Sequence, residues 1–255
     1  MALLDNIISY WKFDGASGDA LDSSGNGYTL TNTNSVSYDA GLLGNEANFG
    51  TSNSNKKLNR TFVDPDSYNT GLSISFWFKI SHTITSDEMF FGWNDIGSGG
   101  VFAYIIGGSS MGTINWRFGG SSYQGYTGTT YAQNIWYHLV MTHGASKDRL
   151  YLNGTMVHEV NSGTLSGSGT DFAIGVRGDN YGYFSGKIDE FGVWGRELTS
   201  TEVTEINNNG VGLSYPFTTA SGPTNLKTFN GLDKASIKTI NGLAIASVKS
   251  INGLT

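Results

Sequence analysis

Seven glutamates are the first residues to test for chemistry: Glu46, Glu88, Glu159, Glu190, Glu197, Glu202 and Glu205. A retaining glycosidase needs two carboxyls about 5 Å apart, one as nucleophile and one as acid. The only glutamates at i and i+3, Glu202 and Glu205, fall in a helical stretch and read as solvated. Two-carboxylate hydrolysis is therefore not expected. The string "GSSMG", Gly108 to Gly112, matches a nucleophile elbow, which needs a strand before the serine and a helix after it. Its flanks "VFAYII" and "TINWRF" are both strand-like, so it reads as a hairpin loop. Of the four histidines, His138 and His143 differ by an odd number and face opposite sides of one strand. No catalytic centre is expected.

Binding chemistry is better represented. "DALDSSGNG" places Asp19, Asp22 and Asn26 on a glycine-rich loop, the oxygen-rich setting that calcium wants. The competing reading is that Asp22 and Asn26 only close Asx turns. Sugar rings stack their apolar faces on aromatic planes while amides hold their hydroxyls. Suitable loop aromatics are Trp93 in "FFGWND", Tyr123, Tyr126 and Tyr131 in "GGSSYQGYTGTTY", and Tyr181, Tyr183 and Phe184 in "GDNYGYFSG". Arg117 or Arg177 supplies polar anchoring, and structural packing is the alternative for each tyrosine. Trp11, Trp77, Trp136 and Trp194 lie in strand patterns and read as packing.

The elements that must hold these loops are short strands. In "LSISFWFKI" Leu72, Ile74, Phe76, Phe78 and Ile80 share one face, while Ser73, Ser75, Trp77 and Lys79 share the other. Asn153-Gly154 predicts a two-residue type I′ hairpin. One helix is marked at "LTSTEVTEINNNG": Thr199 and Glu202 form a capping box, Leu198 and Val203 a staple, and Asn209-Gly210 a stop. Thirty-six glycines, 3 prolines and 13% aromatics fit many strands joined by tight turns. A net charge of −6 argues against a nucleic-acid surface, and the absence of cysteine excludes disulfides and thiolate zinc. No apolar run approaches the ~20 residues of a membrane span.

Five blocks now carry a resemblance: "ISYWKFDGASGDALDSSGNGYTLTNT", "GLLGNEANFG", "LSISFWFKIS", "IWYHLVMTHGASKDRLYLNGTMV" and "FSGKIDEFGVWGRELTSTEVTEI". In this order they resemble a laminin-G-like, concanavalin A-like jelly roll over roughly residues 5–217, within a domain of residues 1–217. The resemblance implies an all-β sandwich of two antiparallel sheets with one short C-terminal helix, and a non-catalytic role towards carbohydrate. Glucanases of that fold carry a strand motif E-x-D-x-x-E, which none of the glutamates opens. It also implies that the loop after the first strand lies near "GKIDE", adding Asp189 and Asp14 to Asp19, Asp22 and Asn26 as calcium ligands.

Residues 218–224 read as a linker, and 225–255 as a short β tail of 11-residue repeats. Three Asn-Gly pairs recur, starting at Asn230, Asn241 and Asn252. Leu226, Phe229, Ile237, Ile240, Leu243, Ile245, Val248 and Ile251 want burial that some thirty residues cannot supply, so the tail is expected to dock or to form homo-oligomers. These repeats resemble short C-terminal repeats of bacteriophage structural proteins. "MALLDNIISYWKF" has no basic n-region, so release by lysis is expected rather than secretion. Together these features predict a non-enzymatic virion protein, a fibre, tail or capsid-decoration component. Its partners would be host-surface polysaccharide and other virion proteins. The alternatives are a structural cement protein, a bacterial adhesin or filament subunit, and a polysaccharide depolymerase.

Overall fold

The computed structural model describes residues 2–51, 55–94, 99–108, 112–119, 124–127, 131–165 and 169–218, with four two-residue strands beyond. The chain divides into two units, Met1–Pro216 and Phe217–Thr255.

The larger unit is built from β1 (Ile7–Trp11), β2 (Thr31–Thr33), β3 (Ser37–Ala40), β4 (Asn45–Asn48), β5 (Lys57–Thr61), β6 (Gly71–Lys79), β7 (Glu88–Trp93) and β8 (Val101–Ile105). There follow β9 (Thr113–Arg117), β10 (Gln124–Thr127), β11 (Trp136–Gly144), β12 (Lys147–Leu152), β13 (Thr155–Asn161), β14 (Asp171–Ile174), β15 (Lys187–Trp194) and α1 (Ser200–Asn207). One antiparallel sheet has the order β13-β12-β11-β6-β15-β4-β3, with β1 also on β15; the other runs β10-β9-β8-β7-β14-β5-β2. The two form the expected sandwich.

Alternation explains how the faces meet. Leu72, Ile74, Phe76 and Phe78 of β6 enter the core, where Phe76 stacks on Phe191 of β15 with centroids 5.2 Å apart. The opposite face is buried too: Ser73, Ser75 and Trp77 are each at most 2% exposed. Ser73 Oγ donates to the Arg196 carbonyl at 2.8 Å and accepts from Leu198 N–H at 2.9 Å. The segment leading into α1 thus satisfies hydroxyls that would otherwise be costly to bury.

Local signals are borne out where the chemistry is local. Thr199 caps α1, and Glu202 returns the bond to the Thr199 N–H at 2.9 Å. The helix ends one residue before the expected stop, on Asn208 in the left-handed region at φ 45°. Leu152 pairs with Thr155 across Asn153-Gly154, whose φ values of 50° and 79° suit a type I′ turn. Strands β8 and β9 pair antiparallel on either side of "GSSMG", as a hairpin requires.

The second unit is described only at four strands: Thr228–Phe229 pairs with Leu232–Asp233, and Thr239–Ile240 with Leu243–Ala244. Each pairing brackets one Asn-Gly dipeptide, and the second repeats the first after 11 residues. Phe229, Ile240 and Leu243 lie on these strands; Leu226, Ile237, Ile245, Val248 and Ile251 lie outside the described residues. Among the described residues no helix is long and apolar enough to cross a membrane.

Candidate functional site

Thr51 and Asn55 between β4 and β5, the loop between β6 and β7, the first residue of β7 and the loop between β14 and β15 line an open cavity of about 660 Å³. Its walls include His82, Asp87, Glu88, Asn180, Tyr181 and Tyr183. The β14–β15 loop is pinned to β7: Met89 N–H donates to the Gly182 carbonyl at 2.7 Å, and Ser185 N–H to Glu88 Oε2 at 2.8 Å. A turn closes where Asn180 N–H donates to the Arg177 carbonyl at 2.9 Å. Glycine at 182, with φ 68°, suits this close approach, since a Cβ there would lie 2.9 Å from the Met89 side chain.

Tyr181 is 54% exposed, and the Arg177 guanidinium lies 4.6 Å from its ring centroid. Arg177 is itself fixed by Asp179, through Nε–Oδ1 at 2.7 Å and Nη2–Oδ2 at 2.5 Å. Arg177 thereby braces the tyrosine as a plane beside the cavity, a cation–π arrangement that leaves ring surface for a ligand. That guanidinium holds the Asp179 carboxyl below its ordinary range. Tyr183 reaches Asn180 Oδ1 with its hydroxyl at 3.3 Å, and Lys57 Nζ donates to the same oxygen at 2.7 Å.

Deeper in, Glu88 Oε1 meets His82 Nε2 at 2.7 Å. Burial raises the Glu88 carboxyl, opposed by the bonds from His82 and Ser185. Its geometry is that of a fixed hydrogen-bond acceptor rather than a free nucleophile. No spacing in the sequence marked His82, Asp87 or Glu88, because the loop between β6 and β7 is what brings them together.

The remaining expected ligand contacts divide. Trp93 is a correction: it is fully buried, donates Nε1–H to the Val63 carbonyl at 2.9 Å and packs on Phe62 at 4.9 Å. The segment expected to be a loop is the end of β7, and a register shift between Met89 and Phe91 turns Phe91 and Trp93 into the core. Phe184 is likewise buried, against Phe49 and Phe90. Tyr126 sits on β10, three strands from β7, half-buried against the core. Tyr131 packs on Tyr137 at 5.0 Å, and Tyr123 lies outside the described residues. Arg117 donates to the Gly119 carbonyl. Trp11, Trp77 and Trp194 are buried as expected, and Trp136 is half-buried with Lys79 Nζ 4.5 Å from its ring.

The expected calcium ligands do not converge. Asp22 takes backbone N–H groups of Tyr10, Ser24 and Tyr28 at 2.9–3.0 Å, the Asx-turn reading. Asn26 Nδ2 donates to the Ile7 and Ile8 carbonyls. Asp19 accepts from Asn32 N–H at 2.9 Å, and Asp14 pairs with Lys12 at 2.9 Å. Among the described residues no three acidic or histidine side chains form a metal cluster.

Asp189 is buried, unlike Asp14, although both accept N–H groups of the turn at residues 42–45. It lies at a bulge where β15 changes partner from β4 to β1, and Glu190 beside it has φ 52°. Asp189 Oδ2 accepts from Leu42 and Leu43 N–H, while its Oδ1 is buried without a hydrogen bond. The Tyr10 and Ser214 hydroxyls lie beside the Glu190 carboxyl and favour its charged form against the burial that opposes it. Burial pushes Asp189 up to about 8 and Glu190 up to about 7.

Comparison with known proteins agrees with this architecture. Domain 4 of the extracellular GH43 arabinanase AbnA from Geobacillus stearothermophilus, solved with arabinotriose, superposes with TM-score 0.61 at 20% identity, covering 78% of this chain and 97% of that domain. The binding domain of botulinum neurotoxin DC, solved with rat synaptotagmin II, gives TM-score 0.66 at 15% identity over 91% of this chain and 56% of its own. A botulinum neurotoxin type C structure, described as entering cells through two ganglioside molecules, gives 0.62 at 16% identity over 86% and 53%. This chain thus spans about half of each toxin chain. No curated protein matches the sequence. A profile for the concanavalin A-like lectin/glucanases superfamily (laminin G type 3) matches residues 49–204, more than half of the chain, and the protein belongs to that family.

Proposed function

We propose that this is a non-catalytic glycan-binding protein whose ligand occupies the cavity beside Tyr181. The observation that carries this is an exposed aromatic plane, braced by Arg177, next to a hydroxyl- and amide-lined cavity of about 660 Å³. The similar arabinanase domain was solved with a trisaccharide, which supports a sugar as the ligand class. Tyr181→Ala is expected to weaken binding of a glycan found on an immobilised panel by roughly tenfold, while thermal stability stays within a degree or two. Undiminished binding by Tyr181→Ala would remove the site. Release of reducing ends from the bound polysaccharide would replace the lectin reading with a hydrolase.

The finer setting we infer is a bacteriophage virion. There the sandwich meets host-surface glycan, and the Asn-Gly repeats attach the protein to the particle or join copies of it. Support comes from the two successive hairpins spaced by 11 residues, each too small to bury a core of its own. Multiple copies would turn weak sugar affinity into avidity. Deleting residues 225–255 is expected to abolish incorporation and any oligomer seen by light scattering. A truncated chain that incorporates normally sinks this setting and leaves the sugar site standing.

A calcium ion, as a structural cofactor, would be held by Asp189 with Glu190, and would compensate the charge that burial disfavours there. Saturating calcium is then expected to raise Tm by several degrees over the chelated protein, by mass action. Asp189→Asn should abolish the increment. Equal Tm with calcium and with chelator argues against a resident ion.

A further inference from the structure

We propose that the cavity sorts glycans by charge, admitting uncharged or amino-bearing sugars and excluding carboxylated ones. This rests on the cavity being the glycan site. Its wall carries two carboxylates, Asp87 and Glu88, adjacent at the entry to β7. Among the described residues no lysine or arginine is in that wall. Glu88 is held by two donors, His82 Nε2 at 2.7 Å and Ser185 N–H at 2.8 Å, so it cannot swing away from an incoming anion. Asp87 is half-buried, accepts from Gly107 N–H at 3.3 Å and has no ion-pair partner among the described residues.

Basic groups do lie nearby, each bonded to another group, and His82 in the wall itself is on Glu88. Lys57 Nζ is on Asn180 Oδ1 at 2.7 Å, and Arg177 is engaged by Asp179 and the Tyr181 ring. Lys56 is adjacent in sequence to Asn55, which is in the wall, but is not itself part of it. A sugar carboxylate inside the cavity would therefore meet the unpaired Asp87 carboxylate and the Glu88–His82 pair, with no bidentate arginine to receive it. The groups that remain are neutral: hydroxyls such as Thr83 and Ser86 and the Asn180 amide, which suit sugar hydroxyls. An ammonium on an amino sugar would find Asp87 as its partner.

The test uses the full chain on an immobilised panel of neutral, amino-bearing and carboxylated glycans, each acid paired with its methyl ester. Each ester is expected to bind at least roughly tenfold tighter than its acid, narrowing at high salt. Asp87→Asn should shrink that ratio, with Tm confirming the fold. Acids bound as tightly as their esters, or an unchanged ratio in Asp87→Asn, would overturn the proposal while leaving the glycan site intact. Retention of no glycan at all overturns both, and the two failures are told apart by the panel itself.

Discussion

Acidification from pH 6.5 towards 3 destabilises the native protein by a few kcal/mol more than it destabilises a His138→Gln variant. His138 lies wholly inside β11, stacked on Trp77 with centroids 4.7 Å apart and bonded through Nε2 to Ser75 Oγ at 2.8 Å. Burial lowers its pKa to about 3, only partly opposed by Asn207. An unfolded histidine titrates near 6.5. Between those values the unfolded chain takes up a proton that the native chain refuses. The contribution is thus intact above pH 6.5 and lost as pH falls, by about 1.4 kcal/mol per unit. The raised carboxylates Asp189 and Glu190 act with the opposite sign, costing stability as pH rises from about 4 towards 8 and 7. Comparing variant with wild type cancels that background. Urea midpoints at pH 7, 5 and 4 are the measurement. Two parallel pH profiles would show that His138 does not gate acid unfolding.

Trp11→Ala should be among the most damaging single changes, costing about 4 kcal/mol. Trp11 belongs to β1 in the first sheet, yet its ring stacks on Phe172 of β14 in the second, with centroids 5.5 Å apart and planes at 21°. Phe62 and Phe191 close around it at 5.8 and 5.9 Å. The indole N–H also donates to the Tyr28 carbonyl at 2.7 Å, an acceptor left short of a partner by truncation. One deletion would open a void exactly where the sheets are joined, and neither sheet alone can collapse to fill it. Trp136→Ala is the control, since that ring is half-buried and lies under the Lys79 ammonium at 4.5 Å. Its cost should stay below about 1.5 kcal/mol. A Trp11 variant no less stable than the Trp136 variant would mean that the inter-sheet aromatic cluster is not what holds the sandwich.

Both expectations draw on features read with different ease. The tryptophans of β1, β6 and β15 were legible as packing residues because each sits within a strand pattern. The capping box at Thr199 was legible because its partners lie three residues apart. Trp93 was misread because "FFGWND" reads as a loop, whereas β7 runs on through Trp93 and nothing local marks where it ends. Of the candidate sugar contacts, Tyr181 and Tyr183 were visible as loop aromatics, whereas His82, Asp87 and Glu88 carried no pattern of their own.

By itself the sequence determined strand alternation, the Asn153-Gly154 turn, the capped helix and the period of the tail, since each is a relation among residues a few positions apart. Only the tertiary structure decided that the serine face of β6 is buried, that Asp189 and Glu190 are held in a strained bulge, and that Glu88 meets both His82 and Ser185. Those outcomes depend on which distant segment covers which face. Glu88 and Ser185 lie 97 positions apart in the chain. No short-range propensity encodes such a meeting; it follows from the closing of two sheets upon one core.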